Sequence, residues 1–99
     1  MNSGVHDAHC LAEHLAPVFF GEAEAALLGR YARRRRTIAV EEVQARSDAN
    51  YKRHREKDPA RRAEIWRDLA ATADDPTRMR DFLYQSSMLG SLARAATID

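Results

Sequence analysis

Apolar side chains recur along this chain at intervals of three and four, and nowhere do they alternate with polar ones over a length that would make a strand. That periodicity belongs to helices with one apolar face. Val5, Ala8, Leu11, Ala12 and Leu15 share such a face, so a first helix is predicted over about residues 3–16, with Asn2 or Ser3 placed to cap its start. Pro17 and Gly21 close it around the apolar turn Val18, Phe19 and Phe20. A second helix, 22–36, carries Ala23, Leu27, Leu28 and Tyr31. Thr37 marks a kink or restart, and a third helix, 38–57, begins with Ile38, Val40 and Val43 before it turns polar. Two further helices, 59–73 and 76–94, each open with Asp-Pro, Asp as the cap and Pro at the first helical position, where its missing N–H costs nothing. Their predicted buried residues are Ile65, Trp66 and Leu69, then Met79, Phe82, Leu83, Leu89 and Leu92. The fold class is all-α, with four to five helices.

Composition thins the picture. The chain is 44 % hydrophobic, but Ala supplies much of that and aromatics only 7 %, so little side-chain volume is available to fill a core. A domain of this size buries only about 60–65 % of the surface its unfolded chain exposes. One cysteine makes no internal disulfide, and no segment approaches the roughly 20 apolar residues of a membrane span. The polar, acidic start is unlike a signal peptide. A cytoplasmic protein is expected.

The net charge of +1 conceals an asymmetry. Residues 1–29 hold Asp7, Glu13, Glu22 and Glu24 and no Lys or Arg, whereas all 16 basic side chains follow from Arg30 onward. The runs RRRR at 33–36 and KRHR at 52–55 are the obvious candidates for phosphate contacts. Glu41, Glu42, Glu56 and Asp58 flank them and the pI is near 8.0, so a solvated helix face explains them better than nucleic-acid binding.

His6, Cys10 and His14 climb one stripe at intervals of four, with His9 off it. Neighbours at i and i+4 can chelate Zn²⁺ or another divalent ion. Three collinear ligands cannot surround a metal, however, and no second Cys/His cluster follows; His54 is solitary. A helix face with polar side chains and a small buried thiol accounts for the same residues. Nothing arranges a base and an oxyanion hole around Cys10 for nucleophilic work.

The opening stretch MNSGVHDAHCLAEHLA resembles a segment of flavin-dependent aromatic hydroxylases, the single-component FAD-binding monooxygenases related to p-hydroxybenzoate hydroxylase. Met1, Asn2, Ser3, Gly4, Asp7, Ala8, Leu11 and Leu15 match that family's pattern, while Cys10, Glu13 and His14 replace its usual Asn, Trp and Lys. EAEAALLGRYARRRRTIAVEEVQARSDAN is similar to the family's next stretch, with Thr37 where Pro is usual, and the tail with its Ser-Ser-Met-Leu run is similar to the helical C-terminal region of members acting on phenols. The resemblance implies that the helix start at Met1, Asn2 and Ser3 points at the flavin N1–C2=O edge. There the partial positive charge of a helix N-terminus would favour the anionic reduced ring. Gly4 would admit the backbone's close approach, and Asp7 would steady the helix. It further implies FAD as cofactor, NADH or NADPH as electron donor, and hydroxylation of an aromatic small molecule.

The residues for most of those steps are not in this sequence: there is no GxGxxG and no βαβ pattern for the adenosine and pyrophosphate. The chain opens at the second residue of the motif. The expectation is therefore a C-terminal piece of such an enzyme, residues 1–99 forming one helical segment of a larger α/β flavoprotein, with 1–16 facing the flavin and 22–99 as its C-terminal helical region. Alone it should neither bind FAD tightly nor turn over. A different class of reading is a stand-alone helical interaction protein. On either reading Leu11, Leu15, Phe19, Phe20, Leu27 and Leu28 would be left exposed and would drive association, a homodimer being one form of it.

Overall fold

The structure is a computed structural model and describes residues 2–99. Helix α1 spans Asn2–Phe19, α2 Leu27–Ile38, α3 Ala45–Arg55, α4 Pro59–Asp74, α5 Pro76–Ser86 and α6 Leu89–Thr97. A π-helical segment, Ala39–Gln44, joins α2 to α3, so residues 27–55 form one uninterrupted rod. The described residues contain no strand. The all-α class read from the periodicity is the one observed.

The boundaries differ in four places, each for a local reason. Helix α1 runs past Pro17, which removes one intrahelical N–H without breaking the rod, and ends where Gly21 turns left-handed at φ +74°. The Glu22 N–H then reaches back to the Pro17 carbonyl at 2.8 Å and the Gly21 N–H to Val18 at 3.2 Å, a Schellman closure. Helix α2 begins five residues later than predicted, because residues 24–29 first make i→i+3 turns out of that reversal. Thr37 neither kinks nor restarts the chain: it lies inside α2, which continues to Ile38 and on into the π-helical segment. Finally the predicted 76–94 helix is two helices, broken at Met88, which sits left-handed at φ 67°. There the Gln85 side chain lies so close to Gly90 that an added Cβ would come within 2.9 Å of it.

The Asp-Pro starts behave as read. Asp58 accepts the Ala60 N–H at 3.1 Å, and Asp75 accepts those of Thr77 and Arg78 at 2.9 and 3.3 Å. Because Asp75 also follows directly on α4, the α4–α5 hairpin turns on a single residue.

Packing is sparse. The apolar residues buried among those described are Ile38 and Ala95, and the molecule extends 59 × 28 × 20 Å. Its radius of gyration is 17.9 Å, against about 12.6 Å for a compact chain of this length. α1 lies on α2, α2 on α6, α6 on α5 and α5 on α4, an open chain of neighbours rather than a closed bundle. Much of the predicted core is consequently at the surface: Trp66 is 66 % exposed, and Phe82, Leu83, Leu89 and Leu92 are exposed too, while Ile65, Leu69 and Met79 are half-buried. With one helix neighbour or two, an apolar stripe has nothing on its other flank to cover it.

Candidate functional site

On α1 the predicted apolar face points outward. Val5, Leu11, Leu15 and Phe19 are exposed, whereas the stripe Ser3, Asp7, Cys10 and His14 turns toward α2. Burial of polar groups demands partners, and the stripe finds them on α2. The buried Arg35 guanidinium meets the Asp7 carboxylate, Nε to Oδ1 2.5 Å, and so fixes the second turn of α1. Its Nη2 is buried with no partner. About two turns further along, His14 is buried and donates from Nδ1 to the Cys10 carbonyl at 2.8 Å, with its ring 6.4 Å from that of Tyr31.

This geometry settles the histidine stripe in local terms. The His14 Nδ1 is engaged with backbone and only its Nε2 is left, and the described residues bring no group of three His, Cys, Asp or Glu together to share a metal. His6 and Cys10 on this face are half-buried, and the buried member is the His14 imidazole, not the thiol expected there. Burial pushes the Cys10 thiol up, opposed first by the positive charge of Arg35. Cys10 is thus held as a thiol, not poised as a thiolate.

Of the predicted flavin-facing residues, Met1 lies outside the described residues. Asn2 and Ser3 form the first turn of α1 itself and do not stand before it as a cap; Asn2 is exposed and Ser3 half-buried. No carboxylate occupies that turn, and a Cβ added at Gly4 would meet nothing within 4 Å. Among the described residues the helix start thus carries no acidic side chain, and its first backbone N–H groups have no intrahelical partner. An electron-rich ring edge fits such a donor set. Sequence reasoning placed Asp7 as a helix brace but did not identify Arg35, because nothing in a run of four arginines marks which one turns inward.

Three of the four arginines of the first basic run are engaged inside the molecule, Arg35 with Asp7 as above, while Arg36 is exposed. Arg30 pairs with the Asp99 carboxylate at 2.8 Å, Arg33 donates to the Asp99 carbonyl at 2.8 Å, and Arg34 donates to Ile98 and Ala96 carbonyls at 2.6 and 3.3 Å. These contacts place positive charge on the carbonyl end of α6, where its macrodipole is negative. In the second run Arg55 lies over the Tyr51 ring and bonds its hydroxyl. No helix among the described residues is long and apolar enough to cross a membrane.

Residues 1–46 match the family model of the FAD binding domain. The match takes in α1, α2, the π-helical segment and the first two residues of α3, and it supports a flavoprotein, FAD-dependent hydroxylase-type context for that part of the chain. Residues 47–99 lie outside it. No curated protein and no solved structure matches the chain.

Proposed function

We propose that this chain supplies the flavin-facing helix and the C-terminal helical packing of an NAD(P)H- and FAD-dependent monooxygenase that hydroxylates an aromatic, phenolic substrate, of the p-hydroxybenzoate hydroxylase kind. The observation that carries the proposal is the open, carboxylate-free N-terminus of α1, braced by Asp7 and Arg35, within the stretch that matches an FAD binding domain. FAD, when bound, supplies electron transfer from the nicotinamide donor and the activation of O₂. The backbone amides of Met1, Asn2 and Ser3 would stabilise negative charge at the ring edge, and Gly4 would leave room for its approach. The Asp7–Arg35 pair would hold that helix end in place. A cytoplasmic location belongs to this reading.

Reading the DNA upstream of the Met1 codon, in frame, tests it. An in-frame glycine preceded by a Gly-Asp motif and, some hundreds of codons earlier, a strand followed by GxGxxG is the expected result. A stop codon and ribosome-binding site there would overturn it and favour a stand-alone helical association protein, a reading for which the exposed apolar faces and the sparse core speak.

A further inference from the structure

The chain exposes 7565 Å², about 1,900 Å² more than a compact monomer of its mass. A standard interface covers only about 800 Å² on each partner. The excess belongs to the whole extended molecule, and within it one surface has the internal symmetry that a contact between identical chains requires. Along α5 and the start of α6 runs an open groove of ≈ 1040 Å³, whose lining includes Thr77, Arg80, Asp81, Leu83, Tyr84 and Leu89. Leu83, Tyr84 and Leu89 are 52, 43 and 53 % exposed.

We infer that this α5 face is a docking surface for a second copy of the chain, in a two-fold, antiparallel α5–α5 contact. A two-fold interface joins one patch to itself, so each residue i must be complementary to the residue equally far on the other side of the axis. Thr77, Arg80, Asp81 and Tyr84 lie within about 100° of helix arc and are placed evenly about the midpoint between 80 and 81. An axis through that midpoint sets Arg80 against the partner's Asp81, twice, and Tyr84 against the partner's Thr77. Neither Arg80 nor Asp81 has a side-chain partner among the described residues, although the neighbouring Arg78 is paired with Asp68 of α4 at 3.0 Å. Opposite charges left unpaired at adjacent positions, beside exposed Leu83 and Tyr84, make a patch complementary to its own image. The α1 face does not have this property: up to Arg30 it carries no Lys or Arg to set against its acids, and its exposed His9 is already paired with Glu13 at 3.6 Å.

The test is sedimentation equilibrium of the full chain across a range of concentrations. A monomer–dimer equilibrium is expected. Asp81→Arg opposes two arginine pairs and weakens the dimer at least about tenfold, whereas the charge swap Arg80→Asp with Asp81→Arg restores it to within about threefold. Should Asp81→Arg lose helicity by circular dichroism, Tyr84→Lys, at an exposed position, is expected to weaken the dimer in its place. A monomer at all concentrations, an open-ended aggregate, a dimer indifferent to Asp81→Arg, or a folded charge swap that fails to restore association overturns the inference. So does a dimer broken by Leu11→Asp but not by the α5 variants, which places the contact on α1.

Discussion

Asp7 and Arg35 form one pair, yet removing either member should have unequal consequences. The Arg35 side chain is 7 % exposed and its Nη2 already lacks a partner, while Asp7 is 42 % exposed. Asp7→Ala strands a buried guanidinium, a loss that reaches roughly 3–5 kcal/mol for fully buried pairs. Partial hydration of Asp7 discounts this to about 2.5 kcal/mol, and the better helix propensity of Ala returns about 0.5 kcal/mol. The net is about 2 kcal/mol, near a thirtyfold change in an opening equilibrium. Arg35→Met instead leaves a carboxylate that water can reach and fills the space with an apolar chain, for about 1 kcal/mol or less. The double variant Asp7→Leu with Arg35→Met should recover most of the loss. Since α1 rests chiefly on α2, amide hydrogen exchange of the α1 backbone reads this local opening directly. About thirtyfold faster exchange is expected for Asp7→Ala and about fivefold or less for Arg35→Met. If Arg35→Met were the more damaging, or both changed exchange by less than threefold, the reasoning from asymmetric burial would be refuted.

Cys10 should react with iodoacetamide more slowly than a small free thiol at pH 8, because burial raises its pKa and lowers its thiolate fraction. The sign for stability follows: the unfolded thiol ionises first, so stability is full below the unfolded pKa and declines as pH rises toward the folded one, a decline that Cys10→Ala should remove in alkaline denaturation curves. Asp75→Ala should fray α5 by about 1–2 kcal/mol and Asp58→Ala should fray α4 by less, since Asp75 caps two N–H groups and Asp58 one; exchange of the first-turn amides measures both. Gly21→Ala should cost about 1–2 kcal/mol, all of it backbone strain, because φ there is +74° and the added Cβ touches nothing. Gly4→Ala, in open space within a helix, should instead stabilise α1 by about 0.5–1 kcal/mol in the isolated chain, which thermal circular dichroism would register.

The sequence by itself determined what depends on near neighbours. Helical period and the Asp58 and Asp75 caps with their prolines are decided within four or five residues and are found where the pattern puts them; Gly21 does close α1, although the helix runs on through Pro17 to reach it. That the helix start at Asn2 and Ser3 leaves its first backbone N–H groups without intrahelical partners is likewise a property of its own backbone. Tertiary structure decided which face of each helix turns inward. On α1 the apolar side of Leu11, Leu15 and Phe19 lies outside, as expected of this chain, and the stripe that turns inward is polar because α2 presents Arg35 and Tyr31, which suit Asp7 and His14; Leu27 and Leu28, expected to be exposed with them, are half-buried. Tertiary structure likewise decided which arginine of RRRR is buried and which ones hold the end of α6. The break at Met88 belongs to the same class: no glycine announces it, and it follows from Arg46 reaching across to Gln85 and from Ser91 and Arg94 bonding the Glu41 and Glu42 carboxylates of the π-helical segment. Those contacts join residues some 40 to 50 positions apart, and spacing along a chain carries no information about pairings at that distance.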